Sequence, residues 1–177
     1  MLRVSWVLPS RLTTKHITKE GDIMNPLYVG IDVSSTNNVA YIMKPNGDKH
    51  SCFPITNNRD GARQLVKRIL STMNSLSLND VSIGLEATSV YGENLVYFMR
   101  EDGSLAPYLK KLFVLNPKQV SKFKEAYPEL PKNDYVDAYV IADSLRFGRI
   151  NRRFTWAIIA MMRSVNLHAL VSLLYKI

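Results

Sequence analysis

The chain has a single cysteine, Cys52, and only three histidines, His16, His50 and His168, among its 177 residues. One cysteine excludes a disulfide framework and a cysteine-based zinc site within the chain. It also suits a reducing cytoplasm. The histidines are isolated, without the HxxxH or HxxH spacing that sets two imidazoles on one helix face, so no histidine metal centre is expected. Internal repeats and low-complexity tracts are absent. No apolar run reaches the ~20 residues that cross a bilayer, and the most apolar segment, beyond residue 151, is interrupted by Arg163, Ser164 and Asn166. No membrane partner is therefore expected.

What is present is an apolar share of 46%, enough for a real core, in a length that suits one domain. The net charge of +8 favours a polyanionic partner, nucleic acid ahead of an anionic membrane surface.

Residues 1–23 show no sustained period, and the apolar stretch Val4–Leu8 is too short for a signal-peptide core. Lys19-Glu20-Gly21 can be encoded by AAG-GAG-GGN, a purine-rich ribosome-binding sequence just ahead of Met24. The expectation is a start at Met24, with residues 1–23 a translated leader or a disordered arm.

From Met24 the pattern sharpens. "LYVGIDVS" reads as a strand over 27–33, and 38–43 and 49–55 read as two more, joined at Pro45-Asn46-Gly47-Asp48, a strong hairpin signal. Leu65, Ile69 and Met73 at helical spacing predict a helix over 59–75. A strand over 80–86, a helix over 89–101, a strand over 111–115, a helix opening at Pro117 and a last helix within 133–148 complete the order β-β-β-α-β-α-β-α-α. Three leading strands followed by alternation predict a mixed five-stranded α/β sheet with helices on both faces, over residues 24–150. The tail 151–177 is basic and apolar, and reads as a packed helix, the opening of a further domain, or out-of-frame translation.

Four acids are conspicuous. Asp32 lies inside an apolar strand, and alternation puts it on the face of Tyr28 and Gly30. A carboxylate there needs a partner or a cation. Glu86 ends the strand "VSIGLEA", and ligands gather at the carboxyl ends of strands in open α/β sheets. If the first and fourth strands are parallel neighbours, the two acids converge. In the last helix, at about 100° per residue, Asp134 and Asp137 share a face, while Asp143 lies on the far side of Asp134. Ala138, Ile141 and Leu145 supply that helix with a core side. Two readings stand: Asp134 and Asp137 are solvated acids favoured by the helix dipole, or they turn toward Asp32 and Glu86. Four convergent carboxylates would require hard cations, Mg²⁺ or Mn²⁺, and a pair of such ions serves phosphoryl transfer.

Lys118, Lys122 and Lys124 on the helix after Pro117, and Lys132, Arg146 and Arg149 around the acidic helix, are candidate phosphate contacts, with a solvated basic face as the alternative. Tyr127 and Tyr135 are candidates to stack on bases or to pack.

"YVGIDVSS", "GLEATSVYG" and "KNDYVDAYVIADSLRFGR" together resemble the three blocks of the DEDD transposases, RuvC-like insertion-sequence recombinases related to the pilin-gene invertase. The resemblance covers residues 26–150. The family's third block has Thr where this chain has Asn133. The resemblance implies an RNase H-like fold and an acidic tetrad of Asp32, Glu86, Asp134 and Asp137. It also implies Mg²⁺-dependent cleavage and joining of DNA in transposition, by a nucleoid-associated prokaryotic protein. Some members use a guide RNA encoded by the element, and full-length members act as homo-oligomers with a second domain bearing a catalytic serine. Neither Ser164 nor Ser172 has the context of that serine, so the expectation is a truncated or frameshifted copy. The alternatives are a remnant that only binds nucleic acid or intact transposase, and, from the resemblance of "GIDVSSTNN" to a phosphate loop, an actin-like kinase or ATPase.

Overall fold

The computed structural model describes residues 25–86, 89–131 and 133–148. The expectations for the leader, the tail, Lys132 and Arg149 lie outside these residues. Five strands, β1 (Leu27–Asp32), β2 (Asn37–Met43), β3 (Lys49–Thr56), β4 (Val81–Glu86) and β5 (Leu109–Leu115), form one sheet in the order β3-β2-β1-β4-β5. β2 runs antiparallel to β1 and β3, whereas β1, β4 and β5 are parallel. The helices are α1 (Arg59–Ser75), α2 (Glu93–Glu101), α3 (Pro117–Lys124) and α4 (Asp134–Arg146), and a short 3₁₀ turn (Ser89–Gly92) precedes α2.

Local chemistry sets the boundaries. Gly47 adopts φ +97°, and its N–H donates to the Lys44 carbonyl, closing the β2–β3 turn that Asn46-Gly47 predicts. The Asn58 side chain accepts from the Gly61 N–H and starts α1. Asn116 caps α3 in the same manner, with Pro117 at its first position. Asn133 accepts from the Val136 N–H at 2.9 Å and starts α4. The Asn133 that departs from the family pattern thus performs a cap that threonine also performs.

Each strand divides its residues between two faces. Leu27, Val29 and Ile31 of β1 and Val81, Ile83 and Leu85 of β4 join Leu65 and Ile69 of α1 and Leu95 and Met99 of α2 in the main core. The opposite face carries α4, whose Ala138 and Ala142 pack with Val39, Tyr41 and Met43 of β2. α3 covers α4 from outside, where Val120 meets Val140 and Ile141. α4 is thereby enclosed from sheet and helix, and Val140 to Leu145 are all buried.

Candidate active site

β1 and β4 carry the same short pattern. Gly30-Ile31-Asp32 lies beside Gly84-Leu85-Glu86, with Gly30 paired to Gly84 and Ile31 to Leu85. One step further puts Asp32 and Glu86 side by side at the carboxyl ends of two parallel strands, on the α4 face. The glycines explain how α4 comes so close. A Cβ on Gly30 would lie 2.1 Å from the Ala138 carbonyl oxygen and 2.4 Å from the Ala142 nitrogen, both α4 backbone. A Cβ on Gly84 would lie 3.2 Å from the side chains of Ile141 and Leu145. With no side chain at residue 30, α4 seats directly on β1. Its first turn, with Asp134 and Asp137, then reaches the strand ends.

The electrostatics report the same convergence. Asp32 is pushed up from 3.8 to about 6, first by burial and then by the charges of Asp137, Asp134 and Glu86, with Lys124 acting in the opposite direction. Glu86 is also raised, by burial and by Asp137, and Lys124 again opposes. Asp32 therefore senses all three of the other conspicuous acids. Asp32, Glu86 and Asp137 are half-buried and Asp134 is exposed.

One cation is already part of this cluster. The Lys124 ammonium, at the last position of α3, donates to Asp137 Oδ1. In donor chemistry, carboxylate oxygens crowded beside the Lys124 ammonium suit a hard divalent ion, and burial makes their repulsion costly. Among the described residues no group of three His, Cys, Asp or Glu side chains is arranged to hold a metal ion. For these acids to hold an ion they would have to draw together, and Asp137 would have to exchange its partner.

The other candidates divide. Lys118 and Lys122 are exposed on α3. Arg146 donates from Nε to Asp143 Oδ1 at 2.8 Å and lies over the Phe147 ring. Tyr127 donates its hydroxyl to Asp143 Oδ2 and packs edge-on against Tyr139, so it is a packing residue, while Tyr135 is half exposed. Asp143 lies away from the tetrad, as helix phase predicts. Its role as a buried anchor, 3% exposed and held by Tyr127 and Arg146, is one that the sequence reading missed. The legible signal was an acid inside "YVIADSL" with an arginine three residues on. The 16-residue separation from Tyr127 left none.

No helix among the described residues is long and apolar enough to cross a membrane. A comparison with curated proteins finds no match. Solved structures with a similar chain path include the Thermus thermophilus RuvC in complex with a Holliday junction substrate (11% identity, TM-score 0.46, covering 70% of this chain and 95% of that one). A second is the Fowlpox virus resolvase in complex with Holliday junction DNA (13% identity, TM-score 0.41, 71% and 99%). A third is the Aquifex aeolicus member of the Ppx/GppA family (11% identity, TM-score 0.36, 55% and 37%). The sheet order, with β2 alone reversed, is the mixed five-stranded arrangement that the sequence predicts. Residues 29–163, well over half of the sequence, match the pattern of the IS110-type DEDD transposases, and the chain belongs to that transposase family.

Proposed function

We propose that this chain is the nuclease part of a DNA transposase, and that Asp32, Glu86, Asp134 and Asp137 hold Mg²⁺ or Mn²⁺ against a DNA phosphodiester. The observation that carries the reading is the raised Asp32 carboxyl, which owes its shift to burial and to the three other acids at once. An isolated fold gains nothing from such repulsion, and perturbed groups of this kind cluster at functional sites. When bound, divalent ions supply Lewis-acid polarisation of the phosphoryl oxygens and neutralise charge on the leaving oxygen.

The protein's own part is placement. Asp32 and Glu86 are fixed by the sheet, whereas Asp134 and Asp137 ride on α4, so the site spans a rigid floor and one helix turn. The exposed Lys118 and Lys122 of α3 would take backbone phosphates, with Lys132 and Arg149, which flank α4 in sequence, and the part of the Arg146 guanidinium not bonded to Asp143 as further contacts. DNA is the proposed substrate. A guide RNA, a homo-oligomer and a serine contributed by a further domain are the partners that strand joining would call on.

The test is nicking of a supercoiled plasmid or of element-end DNA in Mg²⁺. Wild type is expected to cut, and Asp32→Ala to lose activity by on the order of 10³-fold. Mg²⁺-dependent cutting that is equal in both proteins would remove the tetrad from the chemistry. Binding without cutting in either protein would favour a remnant that holds nucleic acid.

A further inference from the structure

We infer that Lys124 is a resident counter-cation of the site, which a divalent ion must displace from Asp137 before it can use that carboxylate. This rests on the tetrad's being the metal site. Lys124 donates to Asp137 Oδ1, and its charge lies close enough to Asp32 and Glu86 to oppose the repulsion on both. It is thus placed within the acid cluster, in contrast to Lys118 and Lys122 on the outer surface of the same helix.

The placement is built rather than incidental. Lysine is a flexible residue, and an exposed ion pair between two such side chains contributes little. Here both partners are about one-quarter exposed, at 27% and 28%. The chain on either side of Lys124 is fixed to α4. Val120 is buried against Val140 and Ile141, Phe123 packs on Tyr127 and Phe147, and Tyr127 is bonded to Asp143. These contacts hold the base of the lysine stem while its ammonium reaches the first turn of α4. The Lys124 charge relieves the carboxylates around it in part, so the acids can fold together before any metal arrives. A divalent ion brings more charge and hard-ligand geometry, but to use Asp137 it must take the oxygen that Lys124 holds. Lys124 therefore stabilises the unloaded site and opposes loading.

Mn²⁺ titration, followed by the electron paramagnetic resonance of free Mn²⁺, measures this at constant ionic strength on wild type, Lys124→Met, Lys124→Arg and Asp137→Asn. Lys124→Met should bind Mn²⁺ roughly 3- to 10-fold more tightly than wild type, because a charge has left the site. Lys124→Arg should stay within about 2-fold of wild type, since the charge remains. Far-ultraviolet circular dichroism on each protein identifies a variant that has merely unfolded, and Lys124→Gln then replaces Lys124→Met. An independent readout is acetylation of Lys124, followed by mass spectrometry. Labelling in wild type should rise as Mn²⁺ is added and stay flat in Asp137→Asn. Equal or weaker Mn²⁺ affinity in Lys124→Met, with wild type still binding, overturns the inference and leaves the metal site standing. If neither wild type nor Lys124→Met binds Mn²⁺, the metal site falls and the inference falls with it.

Discussion

The two faces of the sheet are made from the same strands and do opposite work. On one face β1 presents Leu27, Val29 and Ile31, and β4 presents Val81, Ile83 and Leu85, all within the apolar core under α1 and α2. On the other face the intervening residues are Tyr28, Gly30 and Asp32, and Ser82, Gly84 and Glu86. The two-residue period of a strand lets one segment hold the fold together and also carry reactive groups. The difference teaches where tolerance should lie. The α1/α2 face can lose volume and still position the acids. The α4 face has its backbone-to-backbone contact at one residue and its charges at another, so small changes there alter the site.

The sharpest way to break the comparison is at Gly30. A valine would drive its side chain into the Ala138 carbonyl and the Ala142 nitrogen, and helix backbone cannot step aside without lifting α4. Gly30→Val should cost more than about 3 kcal/mol, beyond ordinary overpacking, and leave little folded protein. Gly84→Ala meets only the flexible tips of Ile141 and Leu145, and should cost about 1 kcal/mol. Urea denaturation of both variants checks this. A stable Gly30→Val protein would mean that α4 does not seat on β1.

Ile69 and Asp143 set the faces against each other more finely. Ile69 is fully buried in the α1/α2 core. Ile69→Ala should cost about 3 kcal/mol and leave the Mn²⁺ affinity of the folded protein unchanged. Asp143→Asn keeps the volume but removes the charge that Tyr127 and Arg146 hold. It should cost less, about 1–2 kcal/mol, yet shift the Mn²⁺ affinity toward that of Lys124→Met, because Tyr127 and Arg146 then compete for one acceptor oxygen and hold the base of Lys124 less firmly. An affinity unchanged in both variants would show that the anchor does not govern the site.

How much of this was legible follows from the range of each interaction. α1 runs over 59–75 as predicted, because Leu65, Ile69 and Met73 repeat at helical spacing and Asn58 caps within three residues. The face of Asp32 was legible from strand alternation alone. The parallel pairing of β1 with β4, needed to bring Glu86 alongside, was a conditional reading that the sheet bears out. β5 begins at Leu109, two residues earlier than predicted, because pairing with Val81 draws Leu109 and Lys110 into a strand that their own sequence does not mark. The turn at Ser89–Gly92 delays α2 to Glu93 for a similar reason: apolar spacing is alike in a 3₁₀ turn and an α-helix over so few residues. Lys124 with Asp137, and Tyr127 with Asp143, pair residues 13 and 16 apart in sequence. No periodic pattern records such pairs, so Lys124 read as a phosphate contact and Asp143 only as an acid on the far side of the helix from Asp134.

The smallest effect separates the faces by pH. In the unfolded chain Asp32 titrates at its ordinary 3.8, and in the fold at about 6. Above pH 6 the group is charged in both states and only the folded state suffers the crowding, so the destabilisation is fully present. As pH falls through 6 the fold takes up a proton that the unfolded chain does not take until about 4, and stability rises. Below that the gain is complete. Glu86 is shifted in the same direction and adds to the slope. Solvent screening of a half-buried group keeps the Asp32 share to about 1 kcal/mol or less. In chelator, wild type should therefore gain stability from pH 7.5 to pH 5. Asp32→Asn should begin higher at pH 7.5 and show a shallower rise, and Ile69→Ala should begin lower with the wild-type slope. Thermal melts at the two pH values measure all three. Parallel lines for wild type and Asp32→Asn would mean that the acids on the α4 face do not crowd one another, and would weaken the case for a shared cation site.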